Sequence, residues 1–364
     1  MAKKLSGAPP CRPLHAASSS REQVMPATIK DVARAAGVSV ATVSRTLNGT
    51  DFVLPGTKQR VIDAVKALRF TPSGAARSLI TRRTDTIGAL LPDLYGEYFS
   101  EFIRGIDQAA RARGLHLLLS SSHGDANEAA AALRAMTGRV DGLLVMSPHA
   151  DAEFLSHNLP GSLPVVLVNT SAGMPGHARF VVDNFGGAQA MTRHLAAAGR
   201  KRIAFISGPE GNPESRERQR GYRAALGKGK SALVFEGDFT EESGWAAGRR
   251  IAQTKPRPDA VFAANDMMAI GCLAALGAAG LRVPQDISLG GFDDIPIARY
   301  VAPTLTTIRV PIAELGTRAL DALAKAVEKP ETKPGPPVVM PVELVVRRSC
   351  GAGPPTRPAA PAPR

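Results

Sequence analysis

Hydroxyl, guanidinium and amide side chains crowd a short segment near the start of the chain, from Ser39 to Asn48. Thr42 and Ser44 carry hydroxyls that donate and accept hydrogen bonds, and Arg45 carries a guanidinium with several donors. These groups form hydrogen bonds without catalysing a reaction. The chemistry that they indicate is hydrogen bonding to a nucleic acid.

The residues around this segment predict two short helices joined by a tight turn. The second helix, 40–47, begins after the capping hydroxyl of Ser39, and the first begins after Thr28 and ends at Gly37. The first helix has apolar residues at i, i+3, i+4 and i+7, namely Ile29, Val32, Ala33 and Ala36. This is the pattern of a helix-turn-helix, whose second helix enters the major groove of DNA.

Buried positions in the neighbouring helices leave a second interpretation open. Val43 and Leu47 form the inward pair of the second helix, and a third helix turns four residues inward, namely Val61, Ile62, Val65 and Leu68. Apolar spacing alone fits a small three-helix bundle with no role on nucleic acid equally well. The polar outer face of 40–47, within a basic segment, favours DNA binding.

The positive charge of the chain is concentrated at its start. The 364 residues carry a formal net charge of +13, and residues 1–83 hold 14 basic and 4 acidic residues, a net +10. Residues 347–364 add four Arg, whereas 84–346 have a net charge of −1. A basic head on a nearly neutral body favours a polyanionic partner, against the alternative of a basic leader without function.

From Asp85 onward the chain alternates short apolar strands with amphipathic helices, which predicts parallel sheets covered by helices. Helices are expected at 99–113, 185–198, 215–226, 242–253 and 267–279. The strands are Ile87–Leu91, Leu115–Ser120, Val140–Met146, Val165–Val168, Ile203–Ser207, Leu233–Phe235, Ala260–Ala263 and Ile287–Gly290. We expect the first four and the last four to form one sheet each, with Phe180–Val182 near the crossing. The fold class is therefore α/β, with two similar lobes and a ligand cleft between them.

Several classes of protein are excluded by motifs that the sequence lacks. No apolar run reaches the roughly 20 residues of a membrane span, and no secretory signal is present. Three distant cysteines and seven scattered histidines suggest neither disulfides nor a metal site. A nucleophile elbow, a phosphate loop and a dinucleotide fingerprint are all missing. We expect a cytoplasmic protein that is not an enzyme and needs no cofactor.

The ends of the chain have no periodic pattern. Residues 1–26 are rich in Ser, Pro and Ala and are predicted to be a disordered leader, and 349–364 a disordered tail. Met25 precedes the first ordered pattern, so whether residues 1–24 are translated stays open. Between head and body, 71–84 is short and basic, and a helix in it would be marginal without a partner.

The head segment from Thr28 to Asn48 resembles the signature of the LacI/GalR family of bacterial transcription regulators nearly position by position. The resemblance extends to 27–348 through shorter matches, namely Ile87-Gly88, 140–143, Gly237-Asp238-Phe239, Ala264-Asn265-Asp266, 291–294 and 305–308. It implies a helix-turn-helix domain at 27–72, a hinge helix or linker at 73–84, and at 85–348 a two-lobed, periplasmic-binding-protein-like body that binds effector and dimerises.

The resemblance implies that 40–47 is the recognition helix, with the varying residues Val40 and Ala41 making apolar base contacts and Arg45 reading a guanine. Other residues would position the helix on phosphates, namely Ser39, Thr42, Ser44, Asn48 and Thr57. Thr28 is a further DNA-binding residue. In the hinge, Leu79 would be wedged into the minor groove beside Ala76 and Arg77. Two departures are Ser73, where the family commonly has Asn, and Leu54, which replaces a capping Ser.

For the effector, the resemblance points to seven residues in the cleft: Asp93, Phe99, Asn169, Arg218, Phe239, Asn265 and Asp293. Carboxylates, amides, a guanidinium and aromatic rings suit a polyol such as a sugar. The function implied is a homodimeric repressor of a carbohydrate-utilisation operon, released from a palindromic operator by this effector. Co-repression stays open, as does a tetramer. The alternative is a soluble sugar-binding or transport protein without a DNA role.

Overall fold

A computed structural model describes residues 27–47, 53–71, 83–147, 151–170, 176–227, 231–331 and 334–351. They form two compact units, a head (27–71) and a body (83–351). Several predictions lie outside the described residues: the leader 1–26, most of the tail, the hinge helix at 73–81, and the contacts of Asn48, Ser73, Ala76, Arg77 and Leu79. Within the described ranges, no helix is long and apolar enough to cross a membrane.

The head is built from three helices: α1 (Ile29–Ala36), α2 (Val40–Leu47) and α3 (Pro55–Ala67). Thr28 caps α1 as predicted and shares a reciprocal capping box with Asp31. Gly37 ends α1 with φ of 65°, a left-handed conformation that favours glycine. The Ser39 hydroxyl then accepts from Thr42 N at 3.2 Å, so α2 is capped as expected.

The core of the head differs from the prediction in three places. Val43 and Val61 are fully buried, but Ala64 and Thr46 are buried as well, while Ile62 stays half-exposed and outside the cluster. Thr46 satisfies its hydroxyl by donating to Thr42 O at 2.9 Å, which allows burial of a polar residue. Leu54 precedes α3 without a side-chain cap, as expected.

The body contains two sheets that define two lobes, and the α/β prediction is confirmed. Lobe 1 has the strand order β11-β5-β4-β3-β1-β2, with every pairing parallel. Its elements are β1 (Thr86–Leu91), α4 (Glu97–Arg111), β2 (His116–Ser121), α5 (Ala126–Met136), β3 (Gly142–Val145), α6 (Ala152–Asn158), β4 (Val165–Val168), β5 (Ala178–Val182), α11 (Ile312–Glu328) and β11 (Val338–Met340).

Lobe 2 has the strand order β12-β10-β9-β8-β6-β7, in which only β12 is antiparallel to its neighbour among the described strands. Its elements are α7 (Asn184–Ala197), β6 (Ile203–Ile206), α8 (Pro213–Leu226), β7 (Leu233–Phe235), α9 (Glu241–Gln253), β8 (Ala260–Ala263), α10 (Asp266–Ala278), β9 (Ser288–Asp293), a 3-10 turn (Pro296–Arg299), β10 (Thr306–Arg309), β12 (Glu343–Val345) and a second 3-10 turn (Arg348–Cys350).

The predicted division into four strands for each sheet is wrong. β5 belongs to the first sheet, and the unpredicted β10 lies in the second. After β10 the chain returns to lobe 1 through α11 and β11, then goes back to lobe 2 in β12. The chain therefore crosses between the lobes three times, after β5, after β10 and after β11. The last two crossings occur because β11 and β12 pair with edge strands of different sheets.

The start of the body is held by one carboxylate. Asp141, just before β3, accepts hydrogen bonds from Thr84 N at 2.6 Å, Thr84 Oγ1 at 2.8 Å and Asp85 N at 2.9 Å. Asp85 adopts a positive φ of 51° at this point. The residues that lead into β1 thus have a defined path set by a neighbouring strand.

Candidate functional site

A cavity of about 460 Å³ lies between the lobes, beyond the carboxyl ends of the sheet strands. Helices α4, α8, α9 and α10 begin at or beside it, so their first turns supply side chains to its wall. Lobe 1 contributes Pro92, Asp93, Tyr95, Gly96, Tyr98, Phe99, His123, Gly124 and Met146. Lobe 2 contributes Pro209, Gly211, Asn212, Glu214, Arg218, Asp238, Phe239, Thr240, Asn265, Met267 and Asp293.

Arg218, one turn into α8, is the buried cation of this cavity and is only 3% exposed. Its Nε donates to Asn184 Oδ1 at 2.8 Å, and Nη1 donates to the Ala264 carbonyl at 2.6 Å. Its guanidinium lies 3.9 Å from the centroid of the Phe292 ring, in a cation–π contact. These contacts hold the guanidinium in one orientation.

Two carboxylates face the remaining nitrogen of Arg218. Nη2 lies 3.4 Å from Asp293 Oδ1 and 3.6 Å from Glu214 Oε1. Neither oxygen has a hydrogen-bond partner among the described residues. Burial raises the pKa of Asp293 to about 7 and also raises the pKa of Glu214, although Arg218 opposes both shifts. A buried acceptor without a hydrogen bond lowers stability and is rare in folded proteins, so these two oxygens indicate a functional site.

Aromatic rings form the apolar part of the wall. Tyr98 and Phe99 pack edge to face with centroids 5.5 Å apart, and Phe239 lies across the cavity in lobe 2. Gly208 makes room for the Phe239 ring, because a Cβ at this position would overlap it. Burial raises the pKa of Tyr98 well above its usual range, so the hydroxyl stays protonated.

The amides act partly as structural groups. Asn265 caps α10, where Oδ1 accepts from Met268 N at 3.0 Å and Nδ2 donates to the Phe239 carbonyl at 2.9 Å. Asn169 does not line the cavity. Its Nδ2 donates to Oη of Tyr98, which does, at 3.0 Å. Asp93 accepts from Leu94 N at 2.6 Å in a turn at the cavity wall.

The structure brings six of the seven predicted effector residues to one cavity, with Asn169 one contact away. Three of the seven have positive φ values, namely Asn169 (51°), Phe239 (75°) and Asp293 (114°). Such strained conformations cost about 1–3 kcal/mol each and cluster at ligand sites. Sequence reasoning missed Glu214 and Tyr98, among others. Their positions relative to predicted residues could have indicated them, because Glu214 precedes Arg218 by one helical turn and Tyr98 is adjacent to Phe99.

Two hydrogen bonds cross the cleft beside the cavity. Tyr95 Oη donates to Glu241 Oε1 at 3.3 Å, and Ile297 N donates to Glu97 Oε2 at 2.9 Å. Each joins the start of α4, in lobe 1, to an element of lobe 2. The lobes are therefore in contact across the opening as well as through the chain crossings.

In the head, α2 presents the predicted recognition residues at the surface. Val40 is 41% exposed, Ala41 and Arg45 are exposed, and Thr42 and Ser44 are half-buried. Thr28 and Ser39 are exposed at the starts of α1 and α2, and Thr57 lies half-buried in the first turn of α3. In the described part of the chain, no group of three or more His, Cys, Asp or Glu could hold a metal ion.

Two family patterns match this chain. Residues 28–73 match bacterial regulatory proteins of the lacI family, and residues 192–350 match a periplasmic binding protein-like domain. The first match contains α1, α2 and α3, and the second contains the lobe 2 side of the cavity.

Relatives match along most of the chain. The HTH-type transcriptional repressor PurR of Edwardsiella ictaluri is 38% identical over 335 residues, covering 90% of this chain and 98% of that protein. A lac repressor dimer bound to operator and the anti-inducer ONPF has a TM-score of 0.81 at 28% identity, covering 90% and 100% of the two chains. A complex of the transcriptional regulator CelR with cellobiose has a TM-score of 0.66 at 32% identity, covering 89% and 99%.

Proposed function

The chain belongs to the LacI family of bacterial regulatory proteins, and from this we propose that it is a sequence-specific transcriptional repressor controlled by a small effector. It acts as a homodimer on double-stranded, palindromic operator DNA. A sugar or sugar derivative in the cavity releases it, and the regulated genes serve carbohydrate use. The observation that carries the effector role is the pair of unpartnered buried oxygens, on Asp293 and Glu214, beside the fixed guanidinium of Arg218.

For the DNA role, we assign base reading to the exposed face of α2 through Val40, Ala41 and Arg45. The phosphate contacts are assigned to Ser39, Thr42, Ser44, Asn48 and Thr57, and the hinge contacts to Ala76, Arg77 and Leu79. Thr28 is assigned to DNA binding as well. The basic charge of residues 1–83, a net +10, supports this assignment because phosphate binding is electrostatic. In a dimer the two copies of α2 would lie about one helical turn of DNA apart.

For the effector, we assign binding to Asp93, Phe99, Arg218, Phe239, Asn265 and Asp293, with Asn169 supporting Tyr98. Acceptors and donors beside aromatic rings suit the hydroxyls and the apolar face of a sugar ring. Cellobiose in the complex of the related CelR supports a sugar of this kind. The same cavity in a transport protein would need no head, so the lacI-family match at 28–73 favours the repressor.

We propose the domain limits 27–72 for the DNA-binding domain, 73–84 for the hinge and 85–348 for the effector-binding and dimerisation domain. The protein works in the cytoplasm, where its DNA is, and catalyses no reaction. Ligand binding changes the balance between open and closed lobes and thereby the geometry at the start of the body. A ligand does this only by binding one of the two states more tightly.

The proposal is tested by selecting DNA that the full chain binds from a random double-stranded pool, then titrating the bound complex with sugars. We expect enrichment of a palindrome and a ligand-dependent change in affinity, with release for an inducer and tightening for a co-repressor. Recovery of no common palindrome would overturn the repressor assignment. A palindrome whose affinity stays constant with every ligand that stabilises the protein would overturn the effector control.

A further inference from the structure

Glu214 has a position in the cavity that neither the sequence motifs nor the family resemblance assigned. It is the second residue of α8 and precedes Arg218 by one turn, with its side chain 18% exposed. Its Oε1 faces Nη2 of Arg218 at 3.6 Å and has no hydrogen-bond partner among the described residues. Glu214 also lines the cavity, so its carboxyl group belongs to the cavity wall.

The charges around Glu214 oppose a negatively charged ligand. Four carboxyl groups line the cavity, on Asp93, Glu214, Asp238 and Asp293, against one guanidinium and one histidine. Helix N-termini also face the cavity and attract anions, but Glu214 lies in the first turn of α8. A carboxylate in that place occupies the favourable end of the helix dipole.

Arg218 itself has little left to offer an anion. Phosphate and carboxylate ligands are commonly held by the two parallel donors of an arginine fork. Here Nε and Nη1 are committed to Asn184 and Ala264, and Nη2 lies between Glu214 and Asp293. An incoming anion would have to displace a carboxylate that the chain supplies.

We propose that Glu214 is a specificity-determining residue that makes the cavity select uncharged ligands with adjacent hydroxyl groups and exclude phosphorylated or carboxylated ones. Two carboxylates that line the cavity flank one nitrogen of Arg218, so a diol donates one hydroxyl to the Glu214 carboxylate and the other to the Asp293 carboxylate. This inference rests on the proposed function only in taking the cavity as the effector site. It names the chemical class that the site admits.

The test uses the full chain and inorganic phosphate as the probe, so it requires no knowledge of the natural effector. Glu214→Gln keeps the shape of the side chain and removes its charge. Phosphate binding is measured by calorimetry and by thermal unfolding at constant ionic strength. We expect at least about a tenfold gain in phosphate affinity in Glu214→Gln, equivalent to about 1.4 kcal/mol.

Glu217→Gln is the matched control, because this residue lies on the same helix, is 41% exposed and pairs with Arg220 outside the cavity. It should leave phosphate affinity unchanged, and adding Arg218→Ala to Glu214→Gln should abolish the gain. Ribose and ribose 5-phosphate extend the test, with the phosphorylated sugar gaining only in Glu214→Gln. Equal phosphate affinity in wild type and Glu214→Gln, whether weak or strong, would overturn the inference, as would an equal gain in the control.

The outcome is independent of the DNA test. A chain that selects no palindrome but gains phosphate affinity in Glu214→Gln would retain the charge selection and lose the repressor role. A chain that binds a palindrome and releases it with a sugar phosphate in its wild-type form would retain the repressor role and lose the selection.

Discussion

Nη2 of Arg218 lies 3.4 Å from Oδ1 of Asp293, yet that oxygen accepts no hydrogen bond from any described residue. Charge attraction holds the two groups together at a distance beyond the 2.7–2.9 Å typical of a charge-assisted hydrogen bond. The structure therefore keeps a buried acceptor beside the cavity without a hydrogen bond. We expect a ligand hydroxyl to bind beside this pair, so the pair is a sensitive place to test both stability and binding.

Removing the guanidinium should destabilise the body. Arg218→Ala leaves Asp293 and Glu214 buried without a counter-charge, and breaking such a pair costs about 3–5 kcal/mol. We expect a loss of that size in the free energy of unfolding, measured with urea on the full chain. Arg216→Ala, an exposed arginine on the same helix, is the control and should change stability by less than about 0.5 kcal/mol. Similar values for both variants would contradict the role of the pair.

The raised pKa of Asp293, about 7, predicts a pH dependence. Between its ordinary value near 4 and pH 7, the folded chain binds more protons at this carboxyl than the unfolded chain, so its contribution to stability falls as pH rises. Asp293→Asn should therefore raise the melting temperature of the ligand-free protein at pH 8 and leave it nearly unchanged at pH 4.

Effector affinity should show the opposite slope with pH. An ionised Asp293 accepts two hydrogen bonds where the protonated acid accepts fewer, so affinity for a stabilising sugar should rise about tenfold between pH 6 and pH 8. Calorimetric titration across this range checks the rise. Asp293→Asn should weaken binding and flatten the slope, and an unaltered slope in this variant would assign the pH dependence to another group.

Arg45 is expected to carry operator specificity. It is exposed on α2, and a bidentate guanine contact provides about 1–3 kcal/mol of discrimination. Arg45→Ala should reduce affinity for the selected palindrome while weak, salt-sensitive binding to random DNA persists. Arg34→Ala removes the same charge from the exposed face of α1 and serves as the control in a fluorescence anisotropy titration. Full specific affinity in Arg45→Ala would refute the assignment.

Asp141 should be needed for order at the start of the body. Its carboxylate accepts three hydrogen bonds from Thr84 and Asp85, two of them from backbone N–H groups. Asp141→Ala should lower the free energy of unfolding by about 1–3 kcal/mol and increase amide hydrogen exchange at Thr86 and its neighbours. Asp141→Asn keeps one acceptor oxygen, so its free energy of unfolding should lie between those of the wild type and Asp141→Ala. Unchanged exchange in Asp141→Ala would mean that another contact orders this segment.

Local features of the sequence determined the helices of the head and the fold class of the body. The helices of the head are specified by the caps Thr28 and Ser39, by Gly37 and by the helical period. Caps and turns depend on residues only a few positions apart. The alternation of apolar strands and helices determined the α/β class in the same way. All seven predicted effector residues came from the family resemblance rather than from periodicity, and six of them line the cavity.

Tertiary structure alone decided what depends on distant packing. Val338–Met340 and Glu343–Val345 are short and adjacent in sequence, yet they complete different sheets, because each joins whichever strand edge the folded lobes leave open. The same holds in the cavity. Glu214 and Tyr98 have ordinary helical neighbours, and only the packing of lobe 1 against lobe 2 brings them to the same cavity. Local patterns select elements, whereas long-range burial selects which side chains meet and which acceptors stay unpaired.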